Sequence, residues 1–339
     1  MSPITAGRGA VVQRVAGMAA ALLLTAPLAG LAQAAEKKAH IGILVGGSLA
    51  QRDHLEQALL QGLREQGYVE GKNLVFERRY ADGRGERMPD FARELAGMKL
   101  DAVVTTCTPS TRTAQQAMGS TPIVMAAVAD PVGQKLIASL ARPGANITGL
   151  SSQAEDIMPK MLELFASLLP RPVTVAVLAD ARSDVHPRMW QALVPVAQAL
   201  NIKLLKVEVG RPADTALPAA FESAMREKAG AIFVLPDEPL FLIRREDIVA
   251  LAAKHRLPDM YGAREAVDDG GLMSYGENLS AAYRHAATYV SQVARGVRPG
   301  DIPVQQPTRF ELVLNLKTAQ ALGIDIPQSV LLNADDVLR

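Results

Sequence analysis

The sequence predicts an α/β protein with two doubly wound, parallel-sheet lobes and a ligand cleft between them. Three observations predict this. The chain has 339 residues, 49% of them hydrophobic, which is more than one typical domain needs and enough to fill two cores. Short apolar runs alternate with segments of helical periodicity. That alternation stops at a breaker cluster, Arg142-Pro143-Gly144-Ala145-Asn146, and then begins again, so two β/α series imply two sheets.

In chain order, Ile41 to Val45 reads as the first strand and runs into Gly46-Gly47-Ser48. Leu55, Leu59 and Leu63 recur every four residues, and Gly67 ends that helix. Leu74 to Tyr80 is a second strand. Met88, Phe91, Leu95 and Met98 mark a helix with Pro89 near its start. Asp101 to Thr105 and Ile123 to Val128 are strands, with helices predicted over Ser110 to Met118 and Gly133 to Ala141. After the breaker come a helix from Met158 to Leu169 and a strand from Val173 to Leu178. The latter is the continuous β-branched kind expected when both sheet faces are covered. A helix from Trp190 to Leu200, an extended run Lys203 to Val207, and a helix from Phe221 to Lys228 follow. The strand Ala231 to Leu235 and the helix Ile243 to His255 complete the series.

Charge excludes some partners. There are 36 basic and 35 acidic residues, a net charge of +1, so no electrostatic reason points to nucleic acid or an anionic membrane. Aromatic residues are 4%, too few for base-stacking platforms. Residues 1–35 have the layout of a secretory signal peptide. Arg8 and Arg14 precede an uncharged run from Val15 to Ala32, Ala32-Gln33-Ala34 fits a small-residue cleavage site, and Glu36, Lys37 and Lys38 follow. An uncleaved anchor is the alternative, weakened by Thr25, Pro27 and Gly30. The single cysteine, Cys107, is far from that site, so neither a lipid-attachment cysteine nor an intramolecular disulfide is expected. The mature protein is expected to be soluble and outside the cytoplasm.

Candidate ligand contacts lie where strands end, the edge at which parallel sheets bind ligands. Thr106, Cys107, Thr108 and Ser110 cluster between a strand and a helix start, whose free N–H groups and dipole suit a carboxylate. Helix capping alone is the other reading. Gly47 and Ser48 follow the first strand and let a ligand approach the backbone. Asp130, Asp180, Asp184, Asp237 and Glu238 follow other strands; each suits a ligand ammonium or an N-cap. Arg264 suits either a two-pronged grip on a carboxylate or a salt bridge between lobes, and Tyr261 and Tyr275 flank it in the same region.

Enzyme signatures are weak. The histidines, His40, His54, His186, His255 and His285, include no i, i+4 pair, and no HExxH motif or cysteine cluster is present, so no metal is expected. No GxSxG elbow, phosphate loop or GxGxxG occurs, so no cofactor is expected. Cys107 at a helix start is a weak candidate nucleophile.

Several segments together resemble the ABC transporter substrate-binding family. They are Gly62-Leu63-Arg64-Glu65-Gln66-Gly67-Tyr68-Val69-Glu70-Gly71-Lys72-Asn73, Asp130-Pro131-Val132-Gly133, Ser139 to Leu150, Arg264 to Gly276, and Pro303 to Ala319. The resemblance runs from about His40 to Leu338. It implies the periplasmic binding protein type I fold, similar to the tryptophan/tyrosine-binding group, and a non-enzymatic role. A small organic solute, an amino acid or a carboxylate, is then bound by hinge closure and passed to an ABC permease in the inner membrane. A ligand-sensing subunit and a hydrolase on the same scaffold are the alternatives. The implied lobes are residues 36–147 with 274–300, and residues 148–273 with 301–339. Hinges are expected near Asn146 to Ser151, Gly271 to Ser274 and Gly300 to Pro307. Cys107, where the family has Gly or Ala, and the stretch Asp180 to His186 depart from the family pattern at positions expected to border the pocket.

Overall fold

The computed structural model describes residues 38–339 except Glu238, so the expected signal segment lies outside the described residues. Two sheets organise the rest. The first holds β1 (Ala39–Val45), β2 (Leu74–Tyr80), β3 (Ala102–Thr105), β4 (Ile123–Val128) and β5 (Ile147–Ser151), all parallel, in the order β2-β1-β3-β4-β5. The second holds β6 (Val173–Asp180), β7 (Ile202–Val209), β8 (Ala231–Val234), β9 (Asp259–Tyr261), β10 (Met273–Gly276), β11 (Glu311–Asn315) and β12 (Asp336–Leu338). Its order is β12-β11-β10-β9-β8-β6-β7, and β11 meets β10 antiparallel, with Met273 opposite Leu314.

Helices cover both sheets. They are α1 (Leu49–Glu65), α2 (Met88–Ala96), α3 (Thr108–Ala117), α4 (Met158–Ala166), α5 (His186–Ala199), α6 (Ala213–Arg226), α7 (Pro239–Ile243), α8 (Arg245–Lys254), α9 (Arg264–Asp268), α10 (Leu279–Ala294), α11 (Leu316–Leu322) and α12 (Gln328–Asn333). Each sheet has a separate hydrophobic core on each face, four in all among the described residues. This is why β3, β4 and β8 are buried at every position, and why their sequences run apolar without alternation. Leu55, Leu59 and Leu63 on α1 are fully buried in the core that also holds Tyr283, Ala286 and Ala287 of α10. Gly62 permits that approach, since a Cβ there would lie 2.2 Å from the Arg284 carbonyl oxygen.

The chain crosses between the sheets three times: after Ser151, after Gly276, and between Gln305 and Glu311. Each crossing falls a few residues beyond the expected boundaries at 147, 273 and 300. The reason is that β5, β10 and the Leu150–Gln305 bridge complete their sheets first. Of the expected hinge segments, Asn146 to Ser151 lies almost wholly in the β5 ladder, and Met273 and Ser274 of Gly271 to Ser274 lie in β10.

One predicted helix is absent. Gly133 to Ala141 forms successive turns. Asp130 and Lys135 have φ of 44° and 57°, in the left-handed region that ends helices. The Gly133 N–H donates to Asp130 Oδ1 at 2.9 Å, and the N–H groups of Leu136 and Ile137 both turn back to the Pro131 carbonyl. Leu136 and Ile137 are buried, which is what imitates a helical apolar stripe.

Candidate ligand-binding site

The strand ends of the two lobes face each other across a cavity. About 840 Å³ there is free of protein atoms, part of it open to solvent. From the first lobe come Thr106 and Cys107 after β3, Ala127 on β4, and Leu279 and Tyr283 of α10. From the second come Pro236 and Asp237 after β8, Phe241 of α7, Leu242, Arg245 of α8, and Tyr261 with Gly262 at the end of β9. The crossings add Ser152, Ala154 and Ile157 on one side and Gly276 and Glu277 on another. The lining is mainly apolar with a few converging polar groups.

The Thr-rich loop is built mostly from its own hydrogen bonds. Ser110 Oγ accepts from the N–H groups of Thr106 and Cys107 at 3.1 and 3.3 Å and donates to the Cys107 carbonyl, while Thr105 and Thr111 hydroxyls pair at 2.7 Å. Two hydroxyls turn outward. Thr108 donates across the cleft to Asp237 Oδ2 at 2.7 Å, and Thr106 Oγ is enclosed with no hydrogen-bond partner among the described residues.

Asp237 takes a second bond from the Ala129 N–H, 3.3 Å from Oδ1. Burial pushes its pKa up to about 7, against the lowering effect of these two donors. Glu277 borders the same cavity. The residue is only partly buried, but its Oε1 is enclosed and has no partner among the described residues. Burial first, and then the Asp237 carboxylate, pushes it up to about 8. Arg245 supplies the guanidinium of the wall. Its Nε lies 2.6 Å from Asp269 Oδ2, a close ion pair rather than an aligned hydrogen bond. Among the described residues no His, Cys, Asp or Glu cluster is placed to hold a metal ion. No helix there is long and apolar enough to cross a membrane.

The candidates read from sequence separate into groups. Thr106, Cys107 and Asp237 border the cavity, as does Tyr261, whose hydroxyl donates to Asp259 at 2.6 Å. Thr108 does not border the cavity but donates to Asp237, which does. Ser110 caps α3 instead of facing the cavity. Asp130 and Asp184 bind the lobes to each other: Asp130 pairs with Arg188 of α5, and Asp184 lies 3.2 Å from Arg112 of α3. Asp180 is buried inside the second lobe, where it accepts from Arg211 at 2.7 Å and from the Arg182 N–H. Arg264 is held by Asp268 and Asp336. Tyr275 packs against Phe310, with ring centres 5.8 Å apart. Gly47 accepts from the Asp82 N–H in a turn, and neither it nor Ser48 borders the cavity. Glu238 lies outside the described residues. Glu277, Arg245, Phe241, Ile157, Leu279 and Tyr283 were not singled out from sequence. The one available signal was Gly276-Glu277-Asn278, an acid set between a strand-end glycine and the N-cap of α10, where Asn278 accepts from the Ala281 N–H at 2.8 Å.

Comparison with known proteins gives a consistent result. Residues 40–338 match the ABC transporter substrate binding protein family. A tyrosine-binding protein of Clostridioides difficile (strain R20291) is 26% identical over 292 residues, 85% of this chain and 82% of that one. A conserved domain protein of Vibrio cholerae superposes with a TM-score of 0.81 at 31% identity, over 89% of this chain and 100% of the other. An ABC domain from Streptococcus pneumonia in complex with L-Trp gives 0.80 at 27% identity, again over 89% and 100%.

Proposed function

The chain belongs to the ABC transporter substrate-binding protein family, and from that premise we propose that it is the solute-binding component of an importer. It works in the periplasm as a monomer, holds an amino acid or a related small amine between its lobes, and hands it unaltered to a permease in the inner membrane. The single observation that carries this reading is the two-sided wall of the cavity. Thr106, Cys107 and Tyr283 come from one lobe and Asp237, Phe241 and Tyr261 from the other, so a guest touches both only when they are closed. Closure then tracks occupancy, to the extent that the guest binds the closed form better. Two relatives support the guest's size and chemistry, one named for tyrosine and one holding L-Trp.

A thermal-shift panel of amino acids and amines tests this. A true ligand at 100 times its dissociation constant stabilises by about 2.7 kcal/mol. Silence across the panel, or a chemically changed compound recovered by mass spectrometry, overturns the reading.

A further inference from the structure

The place that a ligand carboxylate needs is already taken by the protein itself. At the first lobe's rim the Thr108 hydroxyl, also 3.2 Å from the Ala129 carbonyl, and the Ala129 N–H both donate to Asp237, at 2.7 and 3.3 Å, which leaves an anion the Thr106 hydroxyl alone of these three donors. That carboxylate arrives from the opposite lobe, with the same closure that encloses a guest. Glu277 brings a second carboxyl to the cavity wall from the crossing after β10, with Oε1 enclosed and unpartnered among the described residues. Thr106, 5% exposed, adds an unpartnered hydroxyl. The guanidinium of the wall, Arg245, is matched by Asp269 at 2.6 Å. The polar side chains of the wall thus include two carboxyls and the neutral hydroxyls of Thr106 and Ser152, and the guanidinium among them is committed to Asp269. The remaining wall is apolar or aromatic: Ile157, Phe241, Leu242, Leu279, Tyr261 and Tyr283.

We propose that this cleft selects an organic amine lacking a carboxylate, its primary ammonium held between Asp237 and Glu277 and its compact apolar or aromatic body against the hydrophobic wall. The inference rests on the solute-binding reading and names the ligand class for that same site. An ammonium gives both carboxyls a charge-assisted partner, where burial without one is costly. A zwitterion brings a carboxylate that must either expel Asp237 from its two donors or lie beside it, like charge against like charge.

Matched pairs on the full chain provide the test by isothermal titration calorimetry: tryptamine against L-tryptophan, tyramine against L-tyrosine, phenethylamine against L-phenylalanine. At least one amine should bind about tenfold or more tighter than its amino acid, as expected for hydrogen bonds to charged groups. Glu277→Gln should weaken that amine by about tenfold while circular dichroism stays unchanged. Amino acids binding as tightly as their amines, or putrescine binding tighter than all of them, overturns the inference and leaves the solute-binding reading standing. Equal amine affinity in Glu277→Gln overturns the assigned position of the ammonium. If no pair binds, the inference falls, and if the wider panel is also silent the solute-binding reading falls with it.

Discussion

Thr108 and Asp237 are 129 residues apart in sequence and belong to different lobes, yet the threonine hydroxyl donates to the aspartate Oδ2 at 2.7 Å. The bond spans the cleft, so under the proposed closing motion it favours the closed form before any guest arrives. Nearby, the His54 ring lies 3.1 Å from Glu265, and Arg112 and Arg188 reach Asp184 and Asp130. These rim pairs are more exposed and individually weaker.

Thr108→Val removes the buried bond while keeping the side chain's shape. Hydrogen bonds to charged groups contribute about 1.5–3 kcal/mol, enough to shift a closing equilibrium by tenfold or more. The ligand-free variant should show a larger radius of gyration than the wild type by small-angle scattering. Equal values would mean that this bond does not bias closure.

The two cavity carboxyls make stability depend on pH. Their folded pKa values, about 7 for Asp237 and about 8 for Glu277, lie above the ordinary carboxylate range, so the folded state holds the extra protons. Their stabilising contribution is complete below that ordinary range and is lost as pH rises through 7 and 8. Glu277→Gln should match the wild type near pH 4 and exceed it near pH 9, by about 1–3 kcal/mol in urea denaturation. The difference between the two proteins isolates Glu277 from His186 and Asp259, which burial shifts to about 4 and about 6. A flat difference across that range contradicts the assignment.

Asp180 and Asp184 look alike in sequence and should behave differently. Removing the buried Asp180 carboxylate takes away its bonds from Arg211 and the Arg182 N–H, and the Arg211 left behind is 28% exposed, so Asp180→Ala should cost about 1.5–3 kcal/mol in a chemical denaturation curve. Asp184 is 63% exposed at its side chain, and its pair with Arg112 should contribute no more than about 1 kcal/mol, less at high salt. Neither change should alter which solutes bind. A selective loss of one solute in Asp180→Ala would return that residue to the site.

Gly276→Ala tests the floor of the cavity. A Cβ at this position would lie 1.9 Å from the Gly262 carbonyl oxygen, so β10 must move away from β9 and carry Glu277 with it. The expected result is a folded protein destabilised by about 1–3 kcal/mol, as overpacking costs, with ligand affinity reduced more than stability alone explains. Melting temperature and calorimetry on one sample separate the two effects.

The β/α alternation was legible because the central strands, such as β3, β4 and β8, are short, apolar and covered on both faces, and the long helices such as α1 carry their own apolar stripe. The turns at Gly133 to Ala141 were not, because two buried neighbours, Leu136 and Ile137, produce the same local pattern as a helix face. Within the site, the Thr-rich loop and Asp237 were visible as strand-end residues. What sequence could not decide was which strand ends look into the cleft. Asp180 ends β6 beside the edge strand β7, and Arg211, just past that strand, reaches it first. Asp237 follows β8, nearer the middle of the sheet, and meets the other lobe. Glu277 escaped notice because its significance comes from Asp237, 40 positions earlier in the chain, which only the folded crossing brings near.

The triple crossing constrains how such a protein diversifies. Each half is assembled from separated stretches of the gene, so a recombination event that replaces one continuous stretch seldom delivers an intact half. Even residues 152–276, the longest uninterrupted portion of the second half, arrive without β11 and β12, which extend that sheet. Single replacements along the facing edges are therefore the simpler route to a new ligand preference, and a laboratory graft of one half onto a relative needs three junctions designed together.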